Sequence, residues 1–118
     1  MPIISSHILD SVKGCDAAGI RVRCQRLIPG AEPQAVAEVR AGDDGRIAIE
    51  IDTHNDEPGT RYEVVFFSGE YFAVGRQSDG VSGLINEVVV RLDLSDVSER
   101  CHVPMMIAPH NHSVWWSQ

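Results

Sequence analysis

Residues 20–27 read Ile-Arg-Val-Arg-Cys-Gln-Arg-Leu, a strict apolar–polar alternation. A period of two puts Ile20, Val22 and Cys24 on one side of an extended chain. Arg21 and Arg23, extended by Arg26, stand on the other, whereas a helical period of 3.6 would scatter both sets. The pattern recurs along the chain, punctuated by turn residues. Ile3–Asp10 is β-rich, and 12–18 is a loop broken at Gly14. Gln34–Ala41 reads as a strand, and Gly42-Asp43-Asp44-Gly45 is a tight-turn signal. Arg46–Ile51 then reads as the hairpin partner, with Ile47, Ile49 and Ile51 on one face and Arg46 at its mouth. Further strands are expected at Arg61–Phe67, Asn86–Leu94, Cys101–Ile107 and Ser113–Ser117, with loops at 54–60 and 77–83. One short helix is expected over 68–75, with Ser68 as cap and Gly75 as stop. About eight short strands with turns every 8–12 residues predict an all-β fold, an antiparallel β-sandwich.

The 118 residues suffice for a single domain, 1–118, with one core. A net charge of −7 argues against a nucleic-acid partner, which needs a basic face. A small anionic ligand is still compatible, because a local Arg/His cluster can act inside an acidic chain. No apolar run approaches the roughly 18–20 residues that span a bilayer, so no membrane partner is expected. The N-terminal stretch lacks a basic region followed by an apolar run, as a signal peptide would have. Three cysteines, Cys15, Cys24 and Cys101, form no CxxC pair, so neither a disulfide framework nor structural zinc is expected. A cytoplasmic protein with reduced thiols is the plain reading.

The chain closes on an apolar stretch that holds three of its five histidines and both tryptophans. Two terminal indoles expose a large apolar area, so burial is expected, in the core or against another subunit. His7, Arg46 and His102 lie far apart in sequence but near predicted strand ends, where a sandwich converges side chains. Two imidazoles and a guanidinium make a workable hydrolytic set. A neutral His takes a proton from water, and the Arg meets the charge developing on an attacked carbonyl. Each has a plain alternative: a satisfied strand histidine, or a turn-closing arginine. His110 and His112 are read as a polar turn rather than a zinc pair. Cys101 is read as packing, because neighbours on a strand face opposite ways. No metal and no cofactor is expected.

Several blocks together resemble a known family. Ser6-His7-Ile8-Leu9-Asp10, Gly14, Ala17-Ala18-Gly19-Ile20, Asp44-Gly45-Arg46, Tyr71-Phe72 and His102-Val103-Pro104 with Pro109 follow the order of the transthyretin-like family, in its 5-hydroxyisourate hydrolase branch. The resemblance runs from about Ile4 to the end. It implies a transthyretin-like sandwich of eight strands with a short helix. It further implies a hydrolase acting on a cyclic amide in purine metabolism, with His7, Arg46 and His102 in catalytic positions. The hormone-carrier branch keeps none of the three. The family also implies a homotetramer whose sites lie in a channel at the dimer–dimer interface, lined by the C-terminal strand.

The tail departs from that pattern. Where the hydrolases end in Tyr-Arg-Gly-Ser, this chain has Trp115, Trp116, Ser117 and Gln118. Arg to Trp deletes a charge and a planar donor fork. The segment before it reads Ala108-Pro109-His110-Asn111-His112-Ser113 where the family has Ser-Pro-Tyr-Gly-Tyr-Ser. Ser113, Trp115, Trp116, Ser117 and Gln118 are therefore the expected substrate-binding residues, with a small molecule as partner. The polar trio with a more aromatic pocket points to retained acid–base machinery and altered specificity. Two alternatives stand beside this reading. One is a relative repurposed for cyclisation, isomerisation or ring opening in specialised biosynthesis. The other is a non-catalytic small-ligand carrier.

Overall fold

The structure, a computed structural model, describes residues 1–73 and 83–117. Strand β1 (Ile3–Asp10) has the double periodicity of a strand between two environments. Ile4, Ser6, Ile8 and Asp10 are buried toward the core, while Ile3, Ser5, His7 and Leu9 face outward. On one side β1 pairs antiparallel with β5 (Arg46–Glu50) along its first half. Its second half meets a two-residue strand, β2 (Cys15–Asp16). On the other side it pairs in parallel with β8 (Arg100–His102) and then β9 (Met105–Ile107). β10 (His112–Val114) closes that flank antiparallel to β9. The second sheet runs in the order β4 (Gln34–Arg40), β3 (Arg21–Leu27), β6 (Arg61–Phe66), β7 (Val88–Leu92), all antiparallel.

The core lies between the two sheets. Ile4, Ile8, Ile47, Ile49, Met105 and Ile107 from the first meet Val22, Cys24, Tyr62, Val64, Phe66 and Val88 from the second. The expected apolar face of Ile20, Val22 and Cys24 is fully buried. Burial is what sets this register, since a one-residue slip would expose the entire set.

Several local expectations are corrected. β4 and β5 do not form a hairpin, because β4 pairs with β3 and β5 with β1 in the other sheet. The turn between them exists, with Gly45 at φ 69° and Gly45 N–H donating to Gly42 O, but it is a corner between sheets. The span 101–107 is two strands rather than one: Pro104 brings no N–H to the ladder, and the pairing restarts after it. The expected loop at 12–18 contains β2, which pairs with β1. The last strand is His112–Val114, and among the described residues beyond it only Ser117 forms a β-bridge.

Helix α1 (Ser68–Ala73) forms where expected, but Ser68 is not its cap. Its Oγ is buried without a partner, and the first helical turn is closed by Tyr71 N–H donating to Phe67 O. The expected stop at Gly75 and most of the 77–83 loop lie outside the described residues. The β3–β4 pairing skips Val36 of β4, but β3 keeps its register against β6, so plain alternation puts Arg26 on the side of Val22 and Cys24 and off the basic face. Arg26 sits opposite Tyr62, donates to its Oη at 3.0 Å and pairs with Asp56 at 3.2 Å. No helix among the described residues is long and apolar enough to cross a membrane.

Candidate active site

The outer face of β1 assembles the site. His7 lies directly opposite Arg46 across the β1–β5 ladder, and Ser5 lies directly opposite His102 across β1–β8. Ser5 and His7 are two residues apart on one strand and share a face. Three positions separated by up to 95 residues thus converge because β1 is the common neighbour of β5 and β8. Glycine at 45 is part of this placement. Its positive φ suits a residue without a side chain, and a Cβ there would come within 2.5 Å of Ile8 O. The corner therefore packs hard against β1 and delivers Arg46 opposite His7, and Ile8 N–H donates to Gly45 O at 2.8 Å.

The two imidazoles have different surroundings. His102 Nδ1 is 2.9 Å from Ser5 Oγ, a serine only 4% exposed. Burial holds the His102 pKa below the usual histidine value, and the charges of Arg46, Arg100 and His7 push the same way. His102 is therefore a neutral imidazole at neutral pH, with one ring nitrogen free to accept a proton. His7 Nε2 lies 2.8 Å from Asp16 Oδ1 on β2. Sequence reasoning had passed over both Ser5 and Asp16. Ser5 was findable as the residue two before His7 on one strand face. Asp16 was not, since a two-residue strand inside a loop has no period to read.

The expected substrate-binding residues separate into groups. Ser117 pairs with His102 as an antiparallel bridge, Ser117 N–H donating to His102 O at 2.8 Å, so the two share a face. Ser113 lies opposite Met106, itself opposite Leu9, and so belongs to the same outer face. Trp115 follows Val114 at the open edge and is 45% exposed. Trp116 turns the other way, into a cleft of about 280 Å3 with Leu92, Val97 and Cys101, and is 69% exposed. The indoles are thus not buried in the core of this chain, which is one of the two burials expected for them. Gln118 lies outside the described residues.

Cys101 packs against the core on the face opposite His102, as alternation requires. His112 is opposite Ile107, on the reverse face from His7, and His110 is exposed in the preceding turn. Among the described residues no group of three or more His, Cys, Asp or Glu is placed to hold a metal. A cleft of about 620 Å3 lies by α1 among Asp10, Lys13, Arg21, Arg40, Glu70 and Tyr71. It contains none of the trio. The clustering of acid–base groups, rather than cavity size, is the better guide to chemistry here.

Comparison with known proteins bears on family and fold. The sequence profile of the HIUase/Transthyretin family matches residues 4–116. The chain belongs to that family. Among curated HIUase relatives, the 5-hydroxyisourate hydrolase of Halalkalibacterium halodurans is 30% identical over 112 residues, covering 95% of this chain and 94% of its own. That of Deinococcus radiodurans is 31% identical over 115 residues, covering 97% and 94%. Among solved structures, (S)-allantoin synthase superposes with a TM-score of 0.81 at 28% identity, covering 99% of this chain. The chain spans only 44% of that synthase's length. The 5-hydroxyisourate hydrolase of Klebsiella pneumoniae superposes over the full length of both chains with a TM-score of 0.72 at 24% identity, a likeness of fold.

Proposed function

We propose that this protein is a hydrolase of the 5-hydroxyisourate hydrolase type, opening a cyclic amide by His/Arg-assisted attack of water. The observation that carries the reading is the convergence of His7, Arg46 and His102 on the outer face of β1 in a chain of this family. Neutral His102 accepts a proton from the attacking water. The water oxygen bonds to the ring carbonyl carbon, and the Arg46 guanidinium meets the charge on the carbonyl oxygen. The C–N bond then breaks, and a proton passes to the departing ring nitrogen, so that one water has been added across the amide. The test is to mix the purified protein with freshly generated 5-hydroxyisourate. Decay faster than the spontaneous rate, abolished by His102→Gln, is expected. An unchanged decay rate would remove this substrate.

Exposed apolar residues support a homotetrameric assembly. Met106 and Trp115 are 40% and 45% exposed beside the site, an apolar rim that a second copy would cover. In that arrangement the open face becomes a channel wall, with Ser113, Trp115 and Ser117 toward the substrate and Trp116 flanking it.

A second reading rests on the altered tail. Trp115 and Trp116 replace the family's aromatic-plus-arginine pair, which favours a flatter, less anionic substrate. Restoring Tyr-Arg-Gly-Ser at 115–118 should raise hydroxyisourate turnover if the tail alone has changed specificity. No gain, with the unaltered protein turning over a more aromatic lactam, would favour a repurposed enzyme.

A further inference from the structure

The contact between Asp16 and His7 ties a candidate acid–base group to a carboxylate on a separate strand. A carboxylate only accepts hydrogen bonds, so the 2.8 Å contact requires the proton of neutral His7 to sit on Nε2. Nδ1 is then the ring's one acceptor. Asp16 is held for this by backbone geometry. It lies opposite Leu9 in the β1–β2 ladder, with its neighbour Ala17 donating to Ile8 O at 2.9 Å. The Gly45 corner closes from the other side, where an added Cβ would come within 3.2 Å of Asp16 Cβ. His7 is further bounded by Arg46 across β5 and by Ser5 and Leu9 on its own strand face. His102, by contrast, has a hydroxyl partner rather than a carboxylate. The two histidines are therefore not equivalent.

We propose that Asp16 is a positioning residue that locks His7 in its Nε2–H tautomer, so that the face of β1 carries an Asp–His dyad beside a hydroxyl-paired histidine. The lock leaves His7 Nδ1 as the atom that takes or returns a proton, and it sets a carboxylate against the ring when both nitrogens are protonated. His7, protonated on Nδ1 from solvent, then gives that proton to the departing ring nitrogen, while His102 takes the water's proton and releases it to solvent. This division of labour rests on the hydrolase reading above; the tautomer lock does not.

The test uses Asp16→Ala, Asp16→Asn and Asp16→Glu in the full chain. Asp16 is 42% exposed on a short strand, so its loss leaves the core intact. Two readouts are taken: turnover of 5-hydroxyisourate, and the His7 ring tautomer from long-range proton–nitrogen-15 correlation at a pH where the ring is neutral. Asp16→Ala is expected to lower kcat roughly 10- to 100-fold with KM little changed, and to mix the two His7 tautomers. Asp16→Asn, whose amide can donate to Nε2, should populate the Nδ1–H form. Asp16→Glu should restore part of both signals. If His7 keeps its Nε2–H tautomer in Asp16→Ala, the proposal is overturned whatever happens to the rate. A lost tautomer with unchanged kcat overturns the positioning role in the reaction. If the unaltered protein does not hydrolyse hydroxyisourate at all, the hydrolase reading fails, and the tautomer measurement still decides the lock.

Discussion

His102 shows how one residue's surroundings decide its chemistry. Burial, the charges of Arg46 and Arg100, and His7 when it is protonated all disfavour its protonated form. Its pKa in the folded chain is therefore below that of the unfolded chain. Between those two values the unfolded chain binds more protons, so the His102 share of stability is complete above the ordinary histidine range and declines as pH falls through it. Activity that needs neutral His102 falls on the acid side for the same reason. Arg100→Gln removes one of the opposing charges, and the acid limb of a kcat/KM–pH profile should then move to higher pH. A limb that stays in place or moves lower would show that Arg100 is screened from the ring. Asp10 makes a different point. It is 1% exposed, accepts from the backbone N–H groups of Val12 and Lys13 at 2.9 and 3.0 Å, and accepts from the Tyr71 hydroxyl at 2.8 Å. This Asp of the Ser-His-x-Leu-Asp block secures the β1 turn and α1 rather than reaching the site.

At the scale of elements, the corner between β4 and β5 matters most. Asp43-Asp44-Gly45 has the residues of a hairpin turn, and the local sequence alone leads to a hairpin. In the folded chain Asp44 Oδ1 accepts from Arg46 N–H at 3.1 Å, and the chain leaves one sheet for the other. The partner of β5 is β1, chosen by burial of Ile47 and Ile49 against the core. Gly45→Ala would combine an unfavourable φ with a clash against backbone, which cannot swing aside as a side chain can. A loss of about 2–3 kcal/mol is expected, read as a lower urea midpoint with an unchanged slope. Turnover should fall as well, because the same shift moves Arg46 away from His7. A variant of full stability would show that the corner relaxes freely.

At the scale of the whole molecule, the site lies on an open face. Trp115 and Met106 border it, and both stay well exposed within one chain. Their area is the main reason to expect assembly. Trp115→Ala with Met106→Ser should weaken subunit association by about 2 kcal/mol, roughly 30-fold in the association constant. Sedimentation velocity at several concentrations reads this directly. If both proteins sediment alike as monomers, the exposed rim has another partner. The contact of Trp116 with Leu92, Val97 and Cys101 lies apart from this rim, so Trp116 should influence assembly less than Trp115.

The sequence by itself determined which stretches are extended and which side of each is apolar. Period-two alternation is local, and burial enforces it wherever Ile20, Val22, Cys24, Ile47 and Ile49 occur. It also carried the family resemblance, through short blocks whose order survives while the tail diverges, and through them the trio His7, Arg46 and His102. The tertiary structure decided what those strands lie beside. Alternation says which face a residue takes but not which strand supplies its neighbour, since pairing depends on how the whole core closes. That is why β5 left its expected partner, why β8 and β9 run parallel to β1, and why Pro104 divides them. It is also why Asp16, unremarkable in a loop of the sequence, stands 2.8 Å from His7, and why Trp115 and Trp116 end on the surface of the chain rather than in its core.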